Sequence, residues 1–362
     1  MQKKIRYGVS ALLSLVMVFS AVGMQVSAEE SKKIVVLGDG ISTSSGLTGE
    51  EQSYVTMLSD YVGASGISFA QEGYTTEDVL VCLDRADVQA ALADADIILL
   101  SVGSHDIMAP YAEQVNVYQE EFGFESITDL FGASMKDYGF TSETQLIPYA
   151  NTLASKAKLN RKTAQENILA IGEKLSQYTS AQVICLNVYN CMDTIENYNE
   201  LSVKRQVAYD SISNPIKGVL DEYVNNAYSQ LASKYGYTVV DTYSLFSKQA
   251  YLYTHPTTVD VKPTALGHEK IALEVAQASG LYMMGDVNGD REINAVDAAA
   301  VLIHAASVGA QGKGTLNTVQ WAAGNVNQNE DVNASDAASI LIYAAVKGGG
   351  GNPSFDNLTG QK

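Results

Sequence analysis

Between residues 285 and 345 the chain contains one unit twice, and this repeat restricts the C-terminal fold more than any other feature of the sequence. Asp286-Val-Asn-Gly-Asp-Arg-Glu-Ile-Asn-Ala-Val-Asp297 aligns with Asn325-Val-Asn-Gln-Asn-Glu-Asp-Val-Asn-Ala-Ser-Asp336 at an offset of 39 residues. From Ile293 and Val332 onward, nine of fourteen residues are identical, and each copy enters an Ala-rich run with apolar residues at helical spacing. Each unit therefore reads as a twelve-residue loop leading into a helix.

Oxygen-bearing residues occupy positions 1, 3, 5, 9 and 12 of each loop, with a backbone carbonyl available at 7, and a hard cation such as calcium needs six or more such oxygens. The first set is Asp286, Asn288, Asp290, the carbonyl of Glu292, Asn294 and Asp297. The second is Asn325, Asn327, Asn329, the carbonyl of Asp331, Asn333 and Asp336, with Asp336 its one side-chain carboxylate ligand. Fewer ligand charges weaken calcium binding, so one tighter and one looser site are expected. Position 6 ordinarily holds Gly for a sharp turn, but Arg291 and Glu330 stand there, so each turn must absorb strain or bend differently. Two loops in register with matching helices resemble a type I dockerin, the calcium module that plugs into a cohesin of a scaffoldin protein. The resemblance covers about sixty residues and implies two calcium ions and a cohesin partner.

The opposite end has Lys3, Lys4 and Arg6, an apolar run from Val9 to Val22, and Val-Ser-Ala before Glu29, which is the pattern of a secretory signal over 1–28. Its removal leaves 20 basic against 41 acidic residues, taking the formal charge from −18 to −21. Such a balance argues against nucleic acid or an anionic membrane as partner and suits an extracellular location. Three cysteines, Cys82, Cys185 and Cys191, read as small buried hydrophobes rather than a disulfide framework.

The remaining 29–279 alternate short apolar runs with helical patterns. Lys33-Ile-Val-Val-Leu37, a segment near Ile67, Asp96-Ile-Ile-Leu-Leu-Ser-Val102, Ala181-Gln-Val-Ile-Cys-Leu-Asn-Val188 and the segment 237–240 read as strands, none joined to the next by a two-residue turn. This order predicts a parallel sheet covered on both faces, with ligands outside the carboxyl ends of its strands. The loops holding Asp39, Gly73, His105 and Asn190 fall on that edge.

These loops, with Pro263-Thr-Ala-Leu-Gly-His268, resemble the SGNH, or GDSL-type, hydrolases over the whole domain. The resemblance implies a three-layer α/β/α domain with a flavodoxin-like parallel sheet, followed by the small all-α docking module (280–347) and a disordered tail (348–362). In that family a Ser follows Gly-Asp, a Gly and an Asn complete an oxyanion hole, and an Asp-x-x-His element supplies the base. Carried over, Gly38-Asp39 is kept but the nucleophile position is Gly40; Gly73 is kept, while the Asn position is His105. Lys262 stands where the histidine belongs, with Asp260 two residues before it.

A glycine has no hydroxyl to acylate, and a lysine acts as base only with a depressed pKa and a nucleophile to serve. The expected domain is thus an SGNH-type scaffold without esterase activity that binds a polysaccharide or acylated glycan. The alternative is an active carbohydrate esterase using a shifted set, Ser42 with His255 or Lys262. His268 is expected to open the last helix of the domain, and His304 to be a cohesin contact or an exposed residue. No HxxxH or HExxH spacing supports zinc, and no GxGxxG or Walker pattern supports a nucleotide.

Overall fold

The computed structural model describes residues 31–130 and 133–360. The signal expected over 1–28 lies outside the described residues. In chain order the large domain runs β1 (Lys33–Gly38), α1 (Tyr54–Tyr61), β2 (Ser65–Ser68), α2 (Thr76–Leu83), α3 (Ala86–Ala93), β3 (Ile97–Ser101), α4 (Ser104–Phe122), α5 (Ile147–Ala157), α6 (Arg161–Tyr178), β4 (Gln182–Leu186), α7 (Val203–Val219), α8 (Asn225–Tyr235), β5 (Thr238–Val240) and α9 (Ala265–Ala278). All strand pairs are parallel, in the order β2-β1-β3-β4-β5. This is a flavodoxin-like sheet, and its strand order reverses between β1 and β3.

The apolar runs behave as strand periodicity dictates. Val35, Leu37, Ile98 and Leu100 point into one core, against α2 to α8, and their neighbours Ile34, Val36, Ile97 and Leu99 into the other, against α1 and α9. β1 and β3 approach closely at their carboxyl ends: a Cβ on Gly38 would lie 2.1 Å from the Ser101 carbonyl oxygen, so only glycine fits there. The second strand is exposed along its length and starts earlier than the sequence suggested, because it is an edge strand held by backbone pairing rather than burial. Cys82, Cys185 and Cys191 are buried and free.

The docking module contains α10 (Ala295–Gln311), α11 (Thr318–Gly324), α12 (Ala334–Gly348) and α13 (Phe355–Thr359). The two repeat helices, α10 and α12, share a small core with Val287, Ile293, Val326 and Val332 from the loops. Helix α11, which the repeat analysis left unassigned, sends Val319 and Ala323 into the second core of the large domain. Full burial of a valine side chain contributes about 1.5–3 kcal/mol. A further departure concerns the tail, expected to be disordered. Phe355 instead is buried and stacks on Tyr343, ring centroids 4.6 Å apart, closing the open end of the module's core. His304 is also not exposed: it is buried, and its Nδ1 accepts the amides of Thr315 and Leu316 at 3.0 and 3.1 Å. Among the described residues no helix is long and apolar enough to cross a membrane.

Candidate functional site

A cleft of about 450 Å³ opens at the carboxyl ends of β1 and β3, lined by Gly40, Glu72, Gly73, Ser104, His105, Met108 and the segment 258–262 among others. Its position is the point of strand-order reversal, where ligands of such sheets bind. Asp39 ends β1 and caps a single 3-10 turn (Gly40–Ser42) by accepting the Ile41 amide. Its other oxygen accepts the Ser104 hydroxyl at 2.5 Å and the Ser104 amide at 3.3 Å, tying β1 to the start of α4. Burial pushes the Asp39 carboxyl up to about 6, against the lowering effect of these hydrogen bonds.

The structure brings Asp39, Gly40, Gly73, His105, Asp260 and Lys262 together, five of them in the cleft wall and Asp39 directly behind it. Their chemistry is that of an ion-pair network. Lys262 Nζ lies 2.7 Å from Glu72 and 3.3 Å from Asp260, and Asp260 also accepts the Lys262 amide at 2.9 Å. Glu72 accepts Ser45 Oγ as well. The hydrogen bond that Lys262 donates to Glu72 is the main cause holding the Lys262 pKa above its ordinary value, the direction opposite to the one a general base requires. Glu72 is correspondingly held below its usual carboxylate range by Lys262 and Ser45.

The aliphatic chain of Lys262 lies over position 40: a Cβ built on Gly40 would stand 3.3 Å from Lys262 Cγ. The space beside Gly40 is filled by the lysine chain, so a side chain there is accommodated only if Lys262 shifts by a few tenths of an ångström. Two hydroxyls line the cleft, and both are engaged. Ser104 donates to Asp39, and Thr258 donates to the His255 carbonyl. Val259, three residues before Lys262 where Asp-x-x-His would place the carboxylate, is buried with a φ of 55°. A β-branched residue in the left-handed region is strained, and it sits in the cleft wall.

The shifted set is not assembled. Ser42 is buried and its Oγ lies 2.6 Å from the Tyr54 hydroxyl, while His255 is exposed; neither lines the cleft. His268 lies in the first turn of α9, as expected, and is buried, its Nδ1 accepting the Tyr54 amide. Sequence reasoning missed Glu72 as the partner of Lys262, 190 residues away. It also missed Asp106, which accepts the amide and hydroxyl of Thr76 and so joins α2 to α4 behind the cleft.

The two repeat loops share one ladder. Asn288 and Asn327 accept the amides of residues 290 and 329, while Asp290 and Asn329 accept those of 292 and 331. Asn294 and Asn333 cap the helices, with Asp297 and Asp336 completing capping boxes. At position 1 of each loop a buried oxygen, Asp286 Oδ1 and Asn325 Oδ1, has no hydrogen-bond partner. A buried polar atom without a partner is costly, and these two point to a cation as the missing one. Burial and the neighbouring Asp297 and Asp290 charges push Asp286 up to about 6, a strain that a cation would relieve. An oxygen donor at this position fits a hard cation such as calcium, although no cluster of three or more His, Cys, Asp or Glu that could hold a metal is found among the described residues. The turns differ as the missing position-6 glycines required: Arg291 takes a φ of 72°, whereas in the second loop only Gln328, at position 4, is left-handed.

Residues 34–275 match the family model described as GDSL-like lipase/acylhydrolase, and residues 284–343 that of the type I dockerin domain. Among solved structures, a phospholipase A1 from Streptomyces albidoflavus NA297 is 18% identical, covering 69% of this chain and 99% of its own, with a TM-score of 0.46. The lipase Lip_vut3 from a goat rumen metagenome is 19% identical, covering 68% of this chain and 97% of its own, with a TM-score of 0.44. No curated protein matches the sequence.

Proposed function

We infer, because this chain belongs to the GDSL-like lipase/acylhydrolase family and bears a type I dockerin, that it is a secreted subunit of a polysaccharide-degrading complex whose cleft binds an acylated glycan without cleaving it. Dockerins bind calcium and imply a cohesin partner, which accounts for the C-terminal module. The observation that carries the rest is the Glu72–Lys262–Asp260 network closed over Gly40. Acyl transfer through a serine needs a hydroxyl next to a base. Here position 40 carries no hydroxyl, the two hydroxyls in the cleft wall are engaged elsewhere, and the amine is paired with two carboxylates. What the cleft retains is a polar rim of Glu72, His105, Asp260 and Lys262 beside an apolar wall of Met108, Ala109 and Ala112. That pairing suits a sugar hydroxyl pattern next to a short acyl group. In the docking module, the first loop holds calcium more tightly than the second because it has more carboxylates.

The test is ester hydrolysis by the full chain on a chromogenic acetate and on acetylated xylan, with retention on the same xylan measured in parallel. Retention without acetate release supports the reading. Steady acetate release by the natural chain removes its non-hydrolytic half, and release that is lost in Ser42→Ala or Lys262→Met assigns the activity to the shifted set; absence of retention across acetylated polysaccharides removes its binding half.

A further inference from the structure

The first repeat loop does more than offer oxygens to a cation. Gly289, at position 4 between Asn288 and Asp290, is packed against the last turn of α1: a Cβ there would lie 2.2 Å from the Tyr61 carbonyl oxygen and 3.0 Å from Val62 Cα. The equivalent residue of the second loop, 39 positions on, is Gln328, which adopts the same left-handed backbone, φ 51° against 67°. The loop's own geometry therefore tolerates a side chain at this position. Glycine in the first copy is demanded by the contact with the large domain.

The surrounding contacts are of the same kind. The Met283 amide, three residues before Asp286, donates to the Tyr61 hydroxyl at 3.1 Å, and Tyr61 is fully buried. The Asn317 side chain donates to the Met57 carbonyl. A further ion pair joins Lys313 to Glu50.

We propose that the first loop is an interdomain latch, in which cation occupancy and the seating of the docking module on α1 form one linked equilibrium. The proposal rests on the reading that residues 286–297 take calcium. A cation drawing Asn288 and Asp290 inward fixes Gly289 between them, and with it the face presented to Tyr61 and Val62. By linkage, a ligand that binds the seated form better than the unseated one stabilises the seated form. Calcium then tightens the large domain at α1, more than 200 residues away in sequence, and fixes the direction in which the cleft faces when the module is held by a cohesin.

The experiment uses the full chain, stripped with chelator and titrated with calcium. Calorimetry counts the sites, and hydrogen exchange follows the amides of 54–62. In the natural protein, calcium at about 100 times its dissociation constant slows exchange in 54–62 by up to about a hundredfold. Gly289→Gln, which reproduces the second loop, keeps the calorimetric uptake and reduces that slowing to less than about threefold; Asp286→Ala loses both. Unchanged exchange in 54–62 despite measured uptake by the first loop overturns the latch and leaves the calcium reading intact. A full response in Gly289→Gln also overturns it. Absence of uptake sensitive to Asp286→Ala defeats the calcium reading itself, and the latch with it.

Discussion

The cleft and the calcium loops lost opposite things. In the cleft the scaffold is intact, down to the contact of Gly38 with Ser101, while the reacting positions hold Gly40 and Lys262. In the repeat loops oxygen-bearing residues stand at positions 1, 3, 5, 9 and 12 of both copies, with Asn for Asp at 1 and 5 of the second, while the position-6 glycine is replaced by Arg291 and Glu330. Scaffold and chemistry are thus separable in both directions. The packed contacts of β1 and β3 persist because their removal would cost packing, whereas the groups at positions 40 and 262, which line the cleft, can change without unpacking the sheet. A loop of this kind can keep its oxygens while its turn is closed by more than one backbone path, Arg291 being left-handed in the first copy and only Gln328 in the second.

The comparison is sharpened most by restoring the lost chemistry. Gly40→Ser with Lys262→His raises ester turnover by on the order of a thousandfold or more over the natural chain, since the tight contact a Cβ at 40 would make is with the very lysine that is replaced. A chromogenic acetate assay reads this, and a double variant as silent as its parent would mean that the scaffold too has drifted. Next comes the loop chemistry. Asp286→Ala weakens calcium binding at the first site by at least about a hundredfold, because even an outer partner of a ligand is worth up to that much. Calorimetry should show two unequal sites in the natural chain, and two equal tight ones would break the distinction between the loops.

A smaller effect tests the scaffold behind the cleft. Asp39 has an ordinary value of 3.8 and a folded value of about 6, so between these the folded protein binds more protons than the unfolded one. Its contribution is therefore fully present at low pH and is lost as pH rises through about 6. The stability margin of the natural chain over Asp39→Asn should shrink by roughly 2–3 kcal/mol between pH 4 and 7 in denaturant titrations. A margin that widens would contradict the burial argument. Smallest is Lys262→Met, where Glu72 is more than half exposed: thermal unfolding should change by no more than about 1 kcal/mol. A larger loss would make the ion pair a structural strut rather than a replacement for lost chemistry.

Strands and loops with a local signal were legible in the sequence. β1 and β3 are unbroken apolar runs bounded by glycine or polar residues, and the two dockerin units repeat in register, so each could be read from its own segment. What escaped depended on distant partners. Glu72 is an ordinary surface carboxylate until the fold places it against Lys262, and no periodicity connects the two. Helix α11 is only seven residues long and lies between the repeats, so its apolar side seemed to belong to the small module. The tail was misread because a Gly-rich stretch precedes it, while the single aromatic that anchors it, Phe355, gives no pattern. Ser42 looked like a relocated nucleophile by spacing alone, but a 3-10 turn points it toward Tyr54.

The insertion of Val319 and Ala323 into the sheet's second core bears on how the chain is made. Synthesis reaches α9 with one face of the sheet still incomplete, and the residues that finish it emerge some forty positions later, after the first loop has already been produced. The large domain is therefore completed from behind, by a segment of its own docking module. A chain cut after Ala278 would expose the apolar surface under α11 and aggregate more readily than the full chain, so the boundary suited to expression lies beyond Gly324 and not at the end of the enzyme-like fold.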